Sequence, residues 1–182
     1  MSIEIRLATA ADMELIRCMN NDVFACEIGQ HQPAPDGRLI DAFETRSRFL
    51  AGIEDGRLIA MISFHSGPPY SVEKKLSDPA VLKALSAPVF EVRLLAIHPA
   101  HRSTNLLARL LVRLHGLLAA AGARTLVISA LAPRLPMYEF MGFRALGPAV
   151  QSGGAAFVPM ALDMAVLPPR AKAVYARYAL EP

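Results

Sequence analysis

At 182 residues, with 53% hydrophobic content and a formal net charge of +3, the chain is long enough to bury a sizeable core as one domain over residues 1–182. The scattered Arg and Lys and the absence of Trp argue against a nucleic-acid-binding surface, while the mildly basic balance suits an anionic ligand. The two cysteines, Cys18 and Cys26, make neither a disulfide framework nor a metal-ligand pattern, so a reducing, cytoplasmic setting is expected.

The start, MSIEIR, lacks an apolar h-region and does not read as a secretory signal, so the mature protein is expected to begin there. Residues Ile3 to Leu7 alternate like a short strand. Thr9 and Asp12 then offer cap chemistry to a helical pattern carried by Leu15, Ile16, Met19, Val23 and Phe24. Gly29 to Gly37, with Pro33 and Pro35, reads as a loop, and Leu39 to Phe43 as a short amphipathic piece, together a flap on the substrate side. Arg48 to Ile53 and Leu58 to Phe64 are apolar runs joined by Glu54-Asp55-Gly56-Arg57, whose Asp-Gly signals a hairpin.

The stretch from Ser66 to Pro88 is proline-rich, with a helical piece near Ala80 to Leu85, and is long enough to be a functional insertion. Val89 to Ile97 is an apolar strand closed by His98-Pro99. The following helix, Leu106 to Ala121, places Leu106, Leu107, Leu110, Leu111, Leu114, Leu117 and Leu118 on one broad face and stops at Gly122. Arg109, Arg113 and His115 break up this leucine-rich stretch, the longest apolar one in the chain, and no membrane span is expected. Thr125 to Ser129 reads as a buried strand, and Pro133 to Met141 as a brief helix ended by Gly142. Phe143 to Leu146 and Ala156 to Leu162 read as two strands around the Gly153-Gly154 turn, and Ala171 to Leu180 as a last helix.

This order, with the segments IEIRLATAADMELI, LLAIHPAHR and MYEFMGF, resembles the GNAT N-acetyltransferase superfamily over nearly the whole chain. The resemblance implies an α/β (α+β) fold: a mixed, mostly antiparallel sheet, splayed between its fourth and fifth strands, with helices on both faces. It implies acetyl-CoA or another acyl-CoA as co-substrate. Leu95, Ala96 and Ile97, on the fourth strand, would pair through their backbone with the pantetheine arm; an ordinary core strand is the plain alternative. Arg102, Ser103, Thr104, Asn105, Leu106 and Leu107 would form the pyrophosphate turn at the helix N-terminus. Here Asn105 and Leu107 stand where the family carries small residues. Asn105 tolerates the positive φ such a turn uses, while Leu107 adds bulk where a phosphate approaches. Simple N-capping is the alternative for this turn. Leu131 replaces a family asparagine.

For chemistry, the resemblance makes Tyr138 the general acid facing the donor sulfur, with an aromatic anchor as its other reading. Glu91 matches a family general base, but Arg93, two residues along on the same strand face, is an equal claimant to its carboxylate as an ion-pair partner. His65, His98, His101 and Tyr70, near predicted loop ends, carry no catalytic expectation, and no metal-ligand spacing is present. The expected function is acyl transfer to the amine of a small molecule or amino acid. The alternatives are a long-chain acyltransferase of the N-acyl amino acid or acyl-homoserine lactone synthase kind, fed by acyl-CoA or acyl carrier protein, and a catalytically silent acyl-binding domain. A homodimer through the last strands or the C-terminal helix is expected.

Overall fold

The computed structural model describes residues 3–178. An eight-stranded sheet runs in the order β1-β2-β3-β4-β5-β8-β6, with β7 also paired to β8. Its first arm is an antiparallel meander. β1 (Glu4–Leu7) pairs with β2 (Arg48–Glu54), β2 with β3 (Arg57–Ser66), and β3 with β4 (Val89–Ile97). The predicted hairpin turn is present: Asp55 and Gly56 both have positive φ, 49° and 76°, the geometry for which Asp-Gly is selected. The second arm is β5 (Thr125–Leu131) paired antiparallel along its whole length with β8 (Ala155–Asp163). The predicted last pair is split. Only Arg144–Ala145 forms β6, and the Gly153-Gly154 turn joins β8 to a separate strand, β7 (Val150–Ser152).

The helices cover both faces. On one, α1 (Met13–Asn20) continues as a π-helical segment, Asn21–Glu27, and packs Ile16, Met19, Val23 and Phe24 against Phe49, Ala51 and Met61. The insertion shares that face and folds as two 3-10 segments, Ser71–Lys75 and Pro79–Ala84, which seat Val72 and Leu82 on Val127. On the other face α2 (Leu106–Ala120) buries Leu106, Leu110, Leu114 and Leu118, four apart, in the main core, where each such leucine contributes about 1.5–3 kcal/mol. α3 (Leu135–Met141) ends at Gly142 in the left-handed region, φ 103°, pressed so close to Pro168 that a Cβ would lie 2.7 Å from its ring. α4 (Pro169–Tyr178) packs on α2 and α3; Ala179 and Leu180 of the predicted last helix lie outside the described residues. No helix of the described residues is long and apolar enough to cross a membrane.

Thr9 and Asp12 do cap the first helix, through a 3-10 turn over Ala10–Asp12. The buried Asp12 carboxylate takes two bonds from the Arg6 guanidinium, at 2.7 and 3.0 Å, and one each from the Thr9 amide and hydroxyl, at 2.6 and 2.8 Å. Arg6 first, and then Thr9, hold this carboxyl far below the usual carboxylate range. A depressed folded-state value contributes stability above the unfolded value, near 4, and loses it as the pH falls further. Asp12→Asn is therefore expected to be less stable than the parent at neutral pH. In denaturation curves taken between pH 5 and pH 2 the gap should close with acid; a gap independent of pH would rule out this linkage.

Candidate active site

β4 meets β5 in parallel over only three rungs, Val89↔Thr125, Phe90↔Leu126 and Glu91↔Val127. Beyond them the two strands part. The divergence coincides with a bulge on the other edge of β4, where the pairing steps from Met61↔Ala96 to Ser63↔Arg93, so that Leu94 and Leu95 together oppose Ile62. Leu94 sits there with φ 53°, a conformation that costs a side-chain-bearing residue about 1–3 kcal/mol and persists only where its surroundings impose it. Nothing in the sequence marks this position, because leucine has no preference for the left-handed region.

The gap opens into a cavity of about 270 Å³ lined by residues of both strands, the π-helical segment, α2, α3 and α4. Leu95, Ala96, Ile97, Arg102, Leu107 and Tyr138 line it together, so the structure gathers these six expected site residues around one space. Leu131 is on the wall as well. The Tyr138 ring packs edge-on to Phe143, centroids 5.9 Å apart, and the residue still lines the cavity. Burial pushes its phenol above the ordinary value of 10, with Arg134 pulling slightly the other way, so it stays protonated at neutral pH.

The turn before α2 departs from expectation. Asn105 has φ −77° and needs no left-handed tolerance, and Leu106 points fully into the core. Thr104 does the capping: its hydroxyl donates to the His101 carbonyl, 2.7 Å, and accepts the Leu106 amide, 3.2 Å. Ser103 is exposed, and neither it, Thr104, Asn105 nor Leu106 reaches the cavity wall. Arg102 does reach it, but is engaged: its two terminal nitrogens bond Glu27 at 2.7 and 2.6 Å and its Nε bonds the Ile97 carbonyl at 2.9 Å.

Glu91 stands apart from the cavity. The carboxylate is fully buried and accepts the Ser71 amide, the Ser71 hydroxyl and the Val72 amide at 2.7 to 2.8 Å, anchoring the insertion to β4. Arg93 approaches it only at 3.9 Å, because the guanidinium is held by Asp41 and by Ser71 and lies over the Phe43 ring. The expected Glu91–Arg93 pair is therefore present but long, and the nearer partner of Arg93 is Asp41, from the predicted amphipathic piece, which strand periodicity could not reveal. Glu91→Gln is expected to weaken the insertion's docking and lower the denaturation midpoint without displacing the pH profile of activity. A lost limb in that profile would instead make Glu91 a proton acceptor.

Two polar groups escape sequence reasoning. His65, expected near a loop end, is buried in β3, stacked between Phe43 and Tyr70, with burial keeping its imidazole below the ordinary value. Ser129 lies on the cavity wall with its buried hydroxyl unpartnered among the described residues; it is paired in register with Pro159 of β8, which has no N–H to offer. Only the alternation within its β-branched run could have singled it out.

The sheet is thus opened between a bulged strand and its parallel neighbour, with Tyr138 on the wall of the cavity there. Residues 77–164 match the family described as the acetyltransferase (GNAT) domain. Solved structures agree over nearly the whole chain. The CoA-dependent acyl-homoserine lactone synthase BjaI is similar with a TM-score of 0.78 at 16% identity, covering 100% of this chain and 92% of its own. FeeM, an N-acyl amino acid synthase from uncultured soil microbes, gives 0.69 at 18% identity, over 90% and 93%. An N-acetyltransferase from Staphylococcus aureus Mu50 gives 0.64 at 20% identity, over 90% and 99%. At such identities the likeness is one of fold. No curated protein sequence matches. Residues 77–164 thus resemble a GNAT acetyltransferase domain, and the chain as a whole shares the fold of these structures.

Proposed function

We propose that this protein is an N-acyltransferase that takes an acyl group from a pantetheine thioester, as in an acyl-CoA, and passes it to the amine of a small molecule or amino acid. The observation that carries this reading is the gap beside β4, where strand edges without partners and Tyr138 border the same cavity. A pantetheine arm, with its two amides, can complete such an edge as a further strand would. The neutral amine attacks the thioester carbonyl, the C–N bond forms, the C–S bond breaks, and the phenol of Tyr138 protonates the departing thiolate; the amine's proton leaves to solvent. Glu91 has no part in this scheme, since its oxygens are occupied away from the cavity.

A longer acyl group is the second reading. Leu111 and Leu114 of α2, with Met141 and Leu162, also line the cavity, so an alkyl chain has apolar room. Incubation with acyl-CoAs of graded chain length, followed by native mass spectrometry, tests both readings. Retention of short chains supports the first and retention of medium chains the second. Retention of none would defeat the donor assignment.

Because Arg102 is engaged by Glu27, its own charge is partly neutralised towards a pyrophosphate. Glu27→Gln should free the guanidinium and tighten CoA up to about fivefold, the worth of one exposed ion pair. The gain should fade at high salt in a binding titration.

A further inference from the structure

Four positions of α2 border the cavity: Leu107, Leu111, Leu114 and His115. The first three are apolar, and the fourth breaks the pattern at the end remote from Arg102. Its Nε2 is fully buried and has no hydrogen-bond partner among the described residues. Tyr175 of α4 stacks on this imidazole, ring centroids 4.6 Å apart and planes at 26°, and also borders the cavity. A buried nitrogen without a partner costs about 1–3 kcal/mol, so an otherwise leucine-lined wall has a reason to exclude histidine here.

Resting on the acyl-donor reading, we infer that this end of the cavity selects acyl groups bearing a hydroxyl at their far carbon, received by His115 beside Tyr175. A neutral imidazole has one donor and one acceptor nitrogen, and no contact of Nε2 fixes which it is. A hydroxyl satisfies either tautomer, a carbonyl only one, and a methyl neither. A carboxylate end would need a protonated partner, whereas burial holds the His115 imidazole below its ordinary value and therefore neutral. Leu107 and His115 are eight residues apart, so the α2 wall runs about 12 Å along the cavity, of which the acyl group takes the part beyond Tyr138. An acyl chain of medium length spans that.

The test compares octanoyl-pantetheine with ω-hydroxyoctanoyl-pantetheine, which share the arm common to CoA and carrier-protein donors, by titration calorimetry on the full chain. The hydroxylated thioester should bind about tenfold tighter, the value of one net hydrogen bond. His115→Phe keeps a ring against Tyr175 and should abolish the preference. Equal affinities in the parent protein, or a preference that survives in His115→Phe, would overturn the inference while leaving the donor reading intact. If neither thioester binds, the donor reading falls and this one with it.

Discussion

Tyr138→Phe should lower kcat about a hundredfold or more, the usual worth of a positioned general acid, with a much smaller change in KM for the acyl donor. Tyr138 lines the cavity, and the substitution keeps the ring that packs edge-on against Phe143, so the fold is not at stake. Burial raises the phenol above 10, so the parent enzyme's rate should hold through neutral pH and fall only once the pH passes that raised value. Steady-state kinetics with the donor retained in the acyl-CoA panel provide the measurement. A variant with the parent's kcat would mean that the leaving thiolate takes its proton from solvent, and that Tyr138 does no more than pack.

The second large effect is on stability. Arg93→Ala should cost about 3 kcal/mol or more, because it strips a nearly buried cation from Asp41, whose carboxylate it meets through two bonds at 2.5 and 2.9 Å. It also takes a donor from the Ser71 hydroxyl, which in turn serves Glu91. Two carboxylates would then remain out of water without their organiser. The midpoint of a denaturant titration should drop accordingly; a shift under 1 kcal/mol would show that water reaches Asp41 easily and that the cluster is solvated.

Much of the architecture was open to reading from local pattern. The Asp55-Gly56 turn, the limits of β4 and the leucine spacing of α2 follow from backbone preference and periodicity, which act within a few residues. What escaped was set by distant neighbours. Asp41 lies 52 residues from Arg93, and Ser71 lies 20 from Glu91, so no window on the chain could pair them. The bulge at Leu94 is imposed by the sheet against the residue's own preference, and the engagement of Arg102 by Glu27 spans 75 residues. Tyr138 and Leu95 to Ile97, singled out by the resemblance, line the cavity, whereas in the turn from Ser103 to Leu106 Thr104 caps the helix and Leu106 fills the core.

The three-rung seam has a thermodynamic corollary. The meander of β1 to β4 and the pair β5–β8 are joined at one end of their common border and held apart at the other, leaving an unfinished ladder inside an otherwise continuous sheet. An arm laid into it would act as the missing rung-bearer for both halves at once. Melting temperature should then climb with the logarithm of thioester concentration, turning a plain heating curve into an affinity scale that requires no knowledge of the acceptor.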